Sequence, residues 1–312
     1  MLSPAGEAAH RLALLGWLLL GVASAVVLIV TVAIIIPLRR RRVSLADAPL
    51  AGSPDREDGV MPISIGVGLS ILVLIAAYIG TVVTLHATVT PPRTPALTVS
   101  VTAHQWWWEI EYTDANPGRS VRTANEFHIP VGQTVRLELQ SADVVHSFWV
   151  PRLQGKVDVI PGETNSFWIE ADQPGTYYGQ CAKYCGMQHA HMAIFVIADS
   201  PSDFASWLDR QREPAHAPTD SLVQAGQTAF TNAPCAFCHT IRGTEAAGRA
   251  GPDLTHLAGR GTIAAGELRN GTGDLSAWIT NAPSLKPGTL MPRMDLDPRT
   301  LHAVVAYLRT LN

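Results

Sequence analysis

The sequence lacks an excess of positive charge and contains little cysteine. Its 312 residues carry a formal net charge of −3, which excludes a general nucleic-acid binder because such a protein needs a basic face. Only four cysteines are present, as the pairs Cys181/Cys185 and Cys235/Cys238. Each pair lies in a segment that also holds histidine, so we interpret both pairs as cofactor ligands, with two tight disulfides as the alternative.

Two long stretches, residues 12–38 and 59–85, lack any charged residue. A membrane-spanning helix needs about 20 apolar residues, so these stretches predict spanning helices at about 12–38 and 59–86, within an anchor of residues 1–96. The alternatives are buried core helices and, for the first stretch, a cleaved signal peptide. The length of the stretches disfavours both.

Positive charge is concentrated between the two apolar stretches. Five arginines lie there, whereas Arg11 alone precedes the first stretch. The five are Arg39, Arg40, Arg41, Arg42 and Arg56. The positive-inside rule then places the connecting segment in the cytoplasm, with the N-terminus and everything after residue 85 outside.

The region after the anchor contains short segments with the alternation of strands. A Pro-rich spacer, residues 88–96, leads into "LTVSVTA" and later "QTVRLELQ", and turn signals separate the segments. This pattern predicts an antiparallel β-sandwich over about residues 97–199, followed by a short helix in "SDFASWLDRQ". We expect the sandwich and this helix to form a domain of residues 97–212.

A different composition begins at the linker "EPAHAPT", and residues 213–312 predict a small all-α domain. In its last segment an apolar stripe recurs with helical spacing. The stripe consists of Leu301, Val304, Val305 and Leu308. A second helix is expected in "SLVQAGQTAF", and the Gly-rich segment between the two helices is expected to be a loop.

The run "CAFCH", from Cys235 to His239, is the strongest single motif. A C-x-x-C-H run in an exported domain predicts covalent haem c, with thioethers to Cys235 and Cys238 and with His239 as an axial ligand. A thioredoxin-like redox pair is the alternative, and it lacks the βαβ surroundings that it needs.

The sixth ligand of the haem iron should lie downstream, where a methionine would raise the haem potential. Met291 and Met294 in "LMPRMDL" are the candidates, with His256 and His302 as weaker competitors.

The stretch "CAKYCGMQHAHM" concentrates soft metal ligands. Cys181, Cys185, His189 and Met192 are separated by three, three and two residues, and thiolate, imidazole and thioether together select copper. His146 in "DVVHSFWVP" could complete the site from another strand. A zinc site with two cysteines, His189 and His191 is the rival interpretation.

Several motifs resemble one family. "DVVHSFWVP", "GKVDVIPGETNSFW", "GQCAKYCGMQHAHM" and "HQWWWEIEY" look like the copper domain of subunit II of the haem–copper cytochrome c oxidases. "CAFCH", "GPDLTHLAGR", "TIAAGELRN" and "KPGTLMP" resemble the cytochrome c domain that is fused to this subunit in caa-type bacterial oxidases. "SPAGEAAHRL" is similar to the family's exported N-terminus.

The resemblance implies a cupredoxin-like copper domain, a class I cytochrome c domain, and roles for individual residues. In the binuclear copper centre (CuA), Cys181 and Cys185 would be bridging thiolates, and His146 and His189 would each bind one copper. Met192 and the backbone carbonyl of Lys183 would be weak ligands.

The resemblance also makes Trp106 the point of electron entry and favours Met291 over Met294 as the haem ligand. Met187 and His191 match no ligand position.

The sequence departs from the family at two positions. Lys183 stands where members commonly carry a glutamate that helps to bind magnesium. The second helix lacks the family's Leu-Glu-x-x-Trp-Thr motif, and Glu57 stands nearby without its surroundings.

The resemblance implies the electron-entry subunit of a terminal oxidase in a bacterial inner membrane, with its C-terminal domains on the periplasmic side. The implied partners are the catalytic subunit I, other oxidase subunits and an electron donor such as cytochrome c. The chain itself lacks a histidine-rich helical bundle that could reduce oxygen. The alternatives are a subunit of a nitric oxide reductase, a metal carrier without electron transfer and a quinol-oxidising relative.

Overall fold

The computed structural model describes residues 3–40 and 57–312. These residues form two compact units. One unit takes residues 3–9 together with Pro91–Asn312, and the other is His10–Thr90.

Two long apolar helices, α1 (Glu7–Arg40) and α2 (Glu57–Val89), contain the predicted spans. Their large apolar side chains are exposed along most of the length, as expected of helices that face lipid. The prediction of two apolar helices is therefore confirmed, and the protein is membrane-anchored. Residues 41–56 and the side chains of Arg40 and Glu57 lie outside the described residues, so the predicted orientation stays a prediction.

The region after α2 forms a β-sandwich of two five-stranded sheets. The strands are β1 (Leu97–His104), β2 (Trp107–Tyr112), β3 (Val121–Ala124), β4 (Glu126–Pro130), β5 (Val135–Ser141), β6 (His146–Trp149), β7 (Val157–Val159), β8 (Asn165–Ile169), β9 (Gly175–Cys181) and β10 (Ala193–Asp199). Their orders are β3-β2-β1-β5-β8 and β4-β10-β9-β6-β7. Alternate residues such as Val99 and Val101 face the core between the sheets. Helix α3 (Pro201–Arg212) follows the last strand.

The expected sandwich is present, but two of its strand pairs are parallel. β1 pairs in parallel with β5, and β10 pairs in parallel with β4. The expectation of a wholly antiparallel sandwich is wrong for these pairs. Turn signals between neighbours in sequence cannot reveal them, because each pair joins strands that are distant in the chain and whose connection passes through the other sheet.

Residues before α1 pack into the β-sandwich. Ala5 belongs to the buried core, its N–H donates to the Arg152 carbonyl (2.8 Å), and its carbonyl accepts from the Asp172 N–H (2.8 Å). A side chain on Gly6 could not fit, because a Cβ would lie 2.3 Å from the Glu170 carbonyl oxygen. The segment that precedes the first apolar helix thus completes a domain that begins about 90 residues later.

The C-terminal region is helical, as expected. Its helices are α4 (Ser221–Asn232), α5 (Cys235–Cys238), α6 (Thr272–Leu285) and α7 (Pro298–Leu308), and a small hairpin joins β11 (Thr262–Ile263) to β12 (Leu268–Arg269). Helices α4 and α7 cross closely at Gly226, and the stripe residues Val304, Val305 and Leu308 are buried.

Helix α6 and the hairpin lie in the segment that we expected to be a loop. Leu275, Ile279 and Ala282 give α6 a buried face. Gly271, Gly273 and an internal proline dilute this periodicity, so packing against the rest of the domain decides the structure there.

Candidate copper and haem centres

His146 begins strand β6 in the core and is fully buried. Its Nε2 lies 2.8 Å from Asp143 Oδ1, and its Nδ1 lies 3.8 Å from the Cys181 sulfur. Burial alone would lower the pKa of His146, but hydrogen bonds with Cys181 and Asp143 outweigh it and raise that pKa. Asp143 thereby fixes the ring so that Nδ1 faces the cysteines, as carboxylates do behind histidine ligands of metals.

The loop after β9 brings the other soft side chains to His146. The sulfurs of Cys181 and Cys185 are 3.8 Å apart, and His189 Nδ1 lies 3.7 Å from the Cys185 sulfur. The ligand atoms of His146, Cys181 and Cys185 lie within 4.8 Å of one another. The spacing of three residues after Cys181 and three after Cys185 therefore closes the loop around one point.

Both cysteines are free thiols in the fold. Their sulfurs are much farther apart than the about 2.05 Å of a disulfide, so the disulfide alternative is wrong for this pair. Hydrogen bonding between the two thiols, together with the neighbouring His146, lowers the pKa of Cys181, and the same contact raises the pKa of Cys185. The pair therefore readily yields a thiolate, which is the form that binds metals.

Lys183 presents its two ends in different directions. Its backbone carbonyl lies 3.2 Å from the Cys181 sulfur, whereas its ammonium lies 3.0 Å from Asp158 Oδ2 at the surface. The positive charge thus points away from the sulfurs to a carboxylate partner. An exposed ion pair of this kind contributes at most about 1 kcal/mol to stability.

Met192 and His191 lie next to each other in sequence but differ in surroundings. Met192 is buried in the same core as the two cysteines, and its carbonyl accepts from the Cys181 N–H at 3.0 Å. His191 Nδ1 lies 2.6 Å from a carboxylate oxygen of Glu267 in the helical domain. The geometry therefore disfavours a zinc site that includes His191.

Trp106 lies directly beside the loop of residues 181–192, which carries the two cysteines and is called the cysteine loop below. Its indole Nε1–H donates to the Cys185 carbonyl (3.0 Å), which also accepts from the Gln105 side-chain amide (2.7 Å). Gly186 has a φ of 114°, and a Cβ there would lie 3.1 Å from the indole atom Cζ2. Glycine at this position lets the loop turn and approach the ring closely.

The motif "CAFCH" forms one helical turn, α5, that ends at His239. The His239 N–H bonds to the Cys235 carbonyl (2.9 Å), and the ring Nδ1 lies 2.8 Å from the Pro252 carbonyl. Burial lowers the pKa of His239, so the ring is neutral and Nδ1 is the protonated nitrogen. Nε2 is then left with the lone pair that an axial ligand of iron needs.

The remaining candidates for the sixth haem ligand differ in their surroundings. Met291 and Met294 both pack, partly buried, against the core of the helical domain. His256 Nε2 lies 3.0 Å from the Glu213 carbonyl, and His302 is exposed on α7. The two histidines therefore remain weaker candidates than the two methionines.

Sequence reasoning missed Asp143 and Lys286. Asp143 stands three residues before His146, and this spacing could have suggested it as a partner of the histidine ring. Lys286 donates hydrogen bonds to residues that are distant in the chain, and no local sequence pattern predicts such bonds.

Two family models match the chain. Residues 117–199 match "Cytochrome C oxidase subunit II, periplasmic domain", and residues 223–312 match "Cytochrome c". One match thus falls in each of the two domains that follow the anchor, and β1, β2 and α3 lie outside the first match.

Curated relatives support the same resemblance. The chain is 40% identical over 214 residues to cytochrome c oxidase subunit 2 of Alkalihalophilus pseudofirmus, an alignment that covers 68% of this chain and 60% of the relative. It is 33% identical over 227 residues to cytochrome c oxidase subunit 2 of Bacillus sp. (strain PS3), covering 68% and 62%. The chain thus spans about three fifths of the length of these relatives.

A solved structure, the periplasmic domain of subunit II of cytochrome oxidase (CoxB) of Bradyrhizobium japonicum, also matches. It is 31% identical, with a TM-score of 0.36, and the match covers 38% of this chain and 96% of that one.

The two matched domains imply two cofactors, a binuclear copper centre (CuA) and a haem c. The donors present fit both groups, because two thiols and two imidazoles converge in the β-sandwich and a neutral histidine follows the C-x-x-C turn in the helical domain. This chain belongs to the cytochrome c oxidase subunit II family and carries a cytochrome c domain after its β-sandwich domain.

Proposed function

We propose that this chain is the electron-entry subunit of a terminal cytochrome c oxidase. Electrons from a donor such as cytochrome c would enter the haem-binding domain, pass to the copper-binding domain and leave to the catalytic subunit that reduces oxygen to water. The observation that carries the proposal is the joint presence, in one compact unit, of a soft-donor cluster and a C-x-x-C-H turn.

The copper centre would be held by side chains from β6 and from the loop after β9. We propose Cys181 and Cys185 as bridging thiolates, His146 and His189 as the imidazole ligands, and Met192 with the Lys183 carbonyl as weak ligands. The Sγ–Sγ distance of 3.8 Å and the two Nδ1–Sγ distances support this set. Asp143 keeps the ring of His146 in place, and burial of the cluster excludes water from it.

The haem would be held by thioethers to Cys235 and Cys238, with His239 as one axial ligand and Met291 as the other. The bond from His239 Nδ1 to Pro252 fixes the ring and supports its role. When bound, the haem and the copper pair supply one-electron redox chemistry. The protein's part is to hold both groups rigidly and away from water.

The location that we propose is a bacterial inner membrane, with the two C-terminal domains on the periplasmic side. Residues 3–6 pack into the β-sandwich that follows α2, so the chain between them must return to the side from which it started. Two spanning helices meet this requirement, whereas a single one does not. The partners would be the catalytic subunit I and other oxidase subunits.

A copper-containing subunit of a nitric oxide reductase is the second candidate function. The observation that favours it is the Lys183–Asp158 ion pair, which occupies the position where oxidase members commonly hold magnesium through a glutamate. The redox groups and the ligand set would be the same in both enzymes, so only the terminal substrate distinguishes them.

The test begins with optical and EPR spectra of the purified full chain. We expect a low-spin c-type haem together with a mixed-valence dicopper signal, and we expect Cys185→Ser to lose the copper signal and retain the haem. A chain without the dicopper signal would refute the proposal. Consumption of oxygen or of nitric oxide by the purified complex then decides between the two candidates.

A further inference from the structure

Lys286 is a buried lysine at the end of α6, with only 3% of its surface exposed. Its ammonium donates to three backbone carbonyls: Trp106 at 2.9 Å, His191 at 2.7 Å and Ala264 at 2.8 Å. A lysine ammonium has three N–H donors, and each one has an acceptor here. The ammonium therefore binds three chain segments at one point.

The three carbonyls come from both domains. Trp106 lies in the turn between β1 and β2, and His191 lies in the cysteine loop directly before Met192. Ala264 belongs to the hairpin between β11 and β12 of the helical domain. Lys286 itself begins "KPGTLMP", the segment that carries Met291. One side chain thus joins the methionine-bearing segment to the cysteine loop.

Burying an ammonium without a carboxylate partner is costly. Desolvation lowers the pKa of Lys286 to about 8, although Glu267 and Cys185 oppose the shift. A neutral apolar side chain at this position would avoid the cost if filling space were all that mattered. The ammonium, unlike an apolar side chain, donates three hydrogen bonds that join segments of both domains.

The indole of Trp106 approaches two glycines, one in each of the two segments that carry proposed cofactor ligands. One is Gly186, next to Cys185, where a Cβ would lie 3.1 Å from Cζ2. The other is Gly288, with a φ of 85°, where a Cβ would lie 3.1 Å from Cη2. The ring therefore touches the segment of Cys185 and the segment of Met291 at the same time.

The methionine-bearing segment is held to the copper domain by a second contact beside the ring. The Gln188 side-chain amide donates to the Pro287 carbonyl at 2.8 Å. Together with Lys286, this bond fixes both residues that precede Gly288.

We propose that Lys286 is a positioning residue for electron transfer between the two domains. It holds the indole of Trp106 in contact with both the cysteine loop and the methionine-bearing segment. The inference rests on the proposed function and deepens it, because it names the side chain that sets the junction. With both cofactors bound, one electron at a time would cross between the two segments, which would oxidise the haem and reduce the copper pair without making or breaking a bond.

A second interdomain contact offers a matched control. Glu126 of β4 is buried, and its carboxylate accepts from the backbone N–H groups of Gly261 (2.8 Å) and Thr262 (2.7 Å). These bonds anchor the same hairpin to the copper domain, and none of them involves Trp106. Glu126→Gln replaces one acceptor oxygen by a donor and so weakens docking without touching the junction.

The experiment compares Lys286→Met with Glu126→Gln in the full-length, cofactor-loaded chain. Flash photoreduction of the haem, followed by copper absorbance, gives the rate of electron transfer between the domains. We expect Lys286→Met to retain both absorption spectra and to slow the transfer about tenfold or more, because small misplacements of reacting groups have large effects on rate. Glu126→Gln should remain close to the wild-type rate.

Hydrogen–deuterium exchange supplies a readout that does not depend on electron transfer. Lys286→Met should speed exchange in the segments 186–193 and 286–290, which the ammonium joins. Glu126→Gln should speed it at residues 261–262. Lys286→Gln retains two donors, so we expect its rates of electron transfer and of hydrogen exchange to lie between those of Lys286→Met and the wild type. If Lys286→Met does not assemble, the rates of Lys286→Gln test the proposal.

If Lys286→Met and Glu126→Gln slow electron transfer equally, Lys286 contributes only to general packing between the domains, and the proposal is overturned. Unchanged transfer in the Lys286 variants would overturn it as well. If the wild-type chain shows both cofactors but no transfer between them, the proposed function fails instead. The exchange pattern still reports separately on whether Lys286 holds the junction.

Discussion

The crossing of α4 and α7 allows a quantitative prediction. A Cβ on Gly226 would lie 2.0 Å from the Ala303 carbonyl oxygen and 2.8 Å from the Tyr307 Cβ, whereas real Cβ atoms essentially never approach closer than 3.0 Å. Gly226→Ala must therefore separate the helices by about 1 Å, the difference between 3.0 and 2.0 Å. Overpacking of this kind costs about 1–3 kcal/mol.

For a domain of about 90 residues, each kcal/mol lowers Tm by about 4–8 °C, so we expect Gly226→Ala to melt roughly 4–24 °C below the wild type. Thermal unfolding of the full chain, followed at the haem absorption band, measures the shift. Gly273→Ala in α6 is the control, because nothing lies within 4 Å of its Cβ position. The control should lose no stability and gain up to about 1 kcal/mol. If the Tm of Gly226→Ala equals that of the wild type, the close helix contact is not present and the reasoning is wrong.

Three further predictions concern the copper loop, the haem and the anchor. Lys183→Ala should retain copper and its spectrum and lose only an exposed ion pair, whereas Cys185→Ser should lose the binuclear signal. Copper analysis checks this, and loss of copper from Lys183→Ala would show that the side chain belongs to the site. Met291→Ala should lower the haem potential, because thioether ligation favours reduced iron, and Met294→Ala should leave it nearly unchanged. A redox titration that gives the opposite order would refute the assignment. A reporter that is active only in the periplasm should work after residue 90 and fail at residue 50, and activity at residue 50 would overturn the orientation.

Local patterns predicted the parts of the fold that depend on local chemistry. Strand alternation located β1 and β5, helical spacing located α7, and the run "CAFCH" located the turn that ends at His239. The soft-donor cluster was also predictable, because Cys181, Cys185 and His189 lie within nine residues and only His146 comes from elsewhere.

Contacts between distant segments were not predictable from the same sequence. The parallel pairing of β1 with β5 depends on a connection that passes through the other sheet. Lys286 finds acceptors up to 180 residues away, and Glu126 finds donors more than 130 residues away. Such bonds depend on how two folded domains dock, and the spacing of residues along the sequence does not predict the docking.

The docking of residues 3–6 has a consequence for biogenesis. Ala5 bonds to Arg152, and both apolar helices lie between these two residues in sequence, so the β-sandwich obtains part of its core from residues that are synthesised before the anchor. Closing such a long loop costs little extra free energy, because the cost grows only with the logarithm of loop length, but contacts of large sequence separation form late. We therefore expect the β-sandwich to reach its final packing only after both apolar helices have been synthesised. Insertion of the anchor and completion of the core of this domain would then be coupled steps in the maturation of the chain.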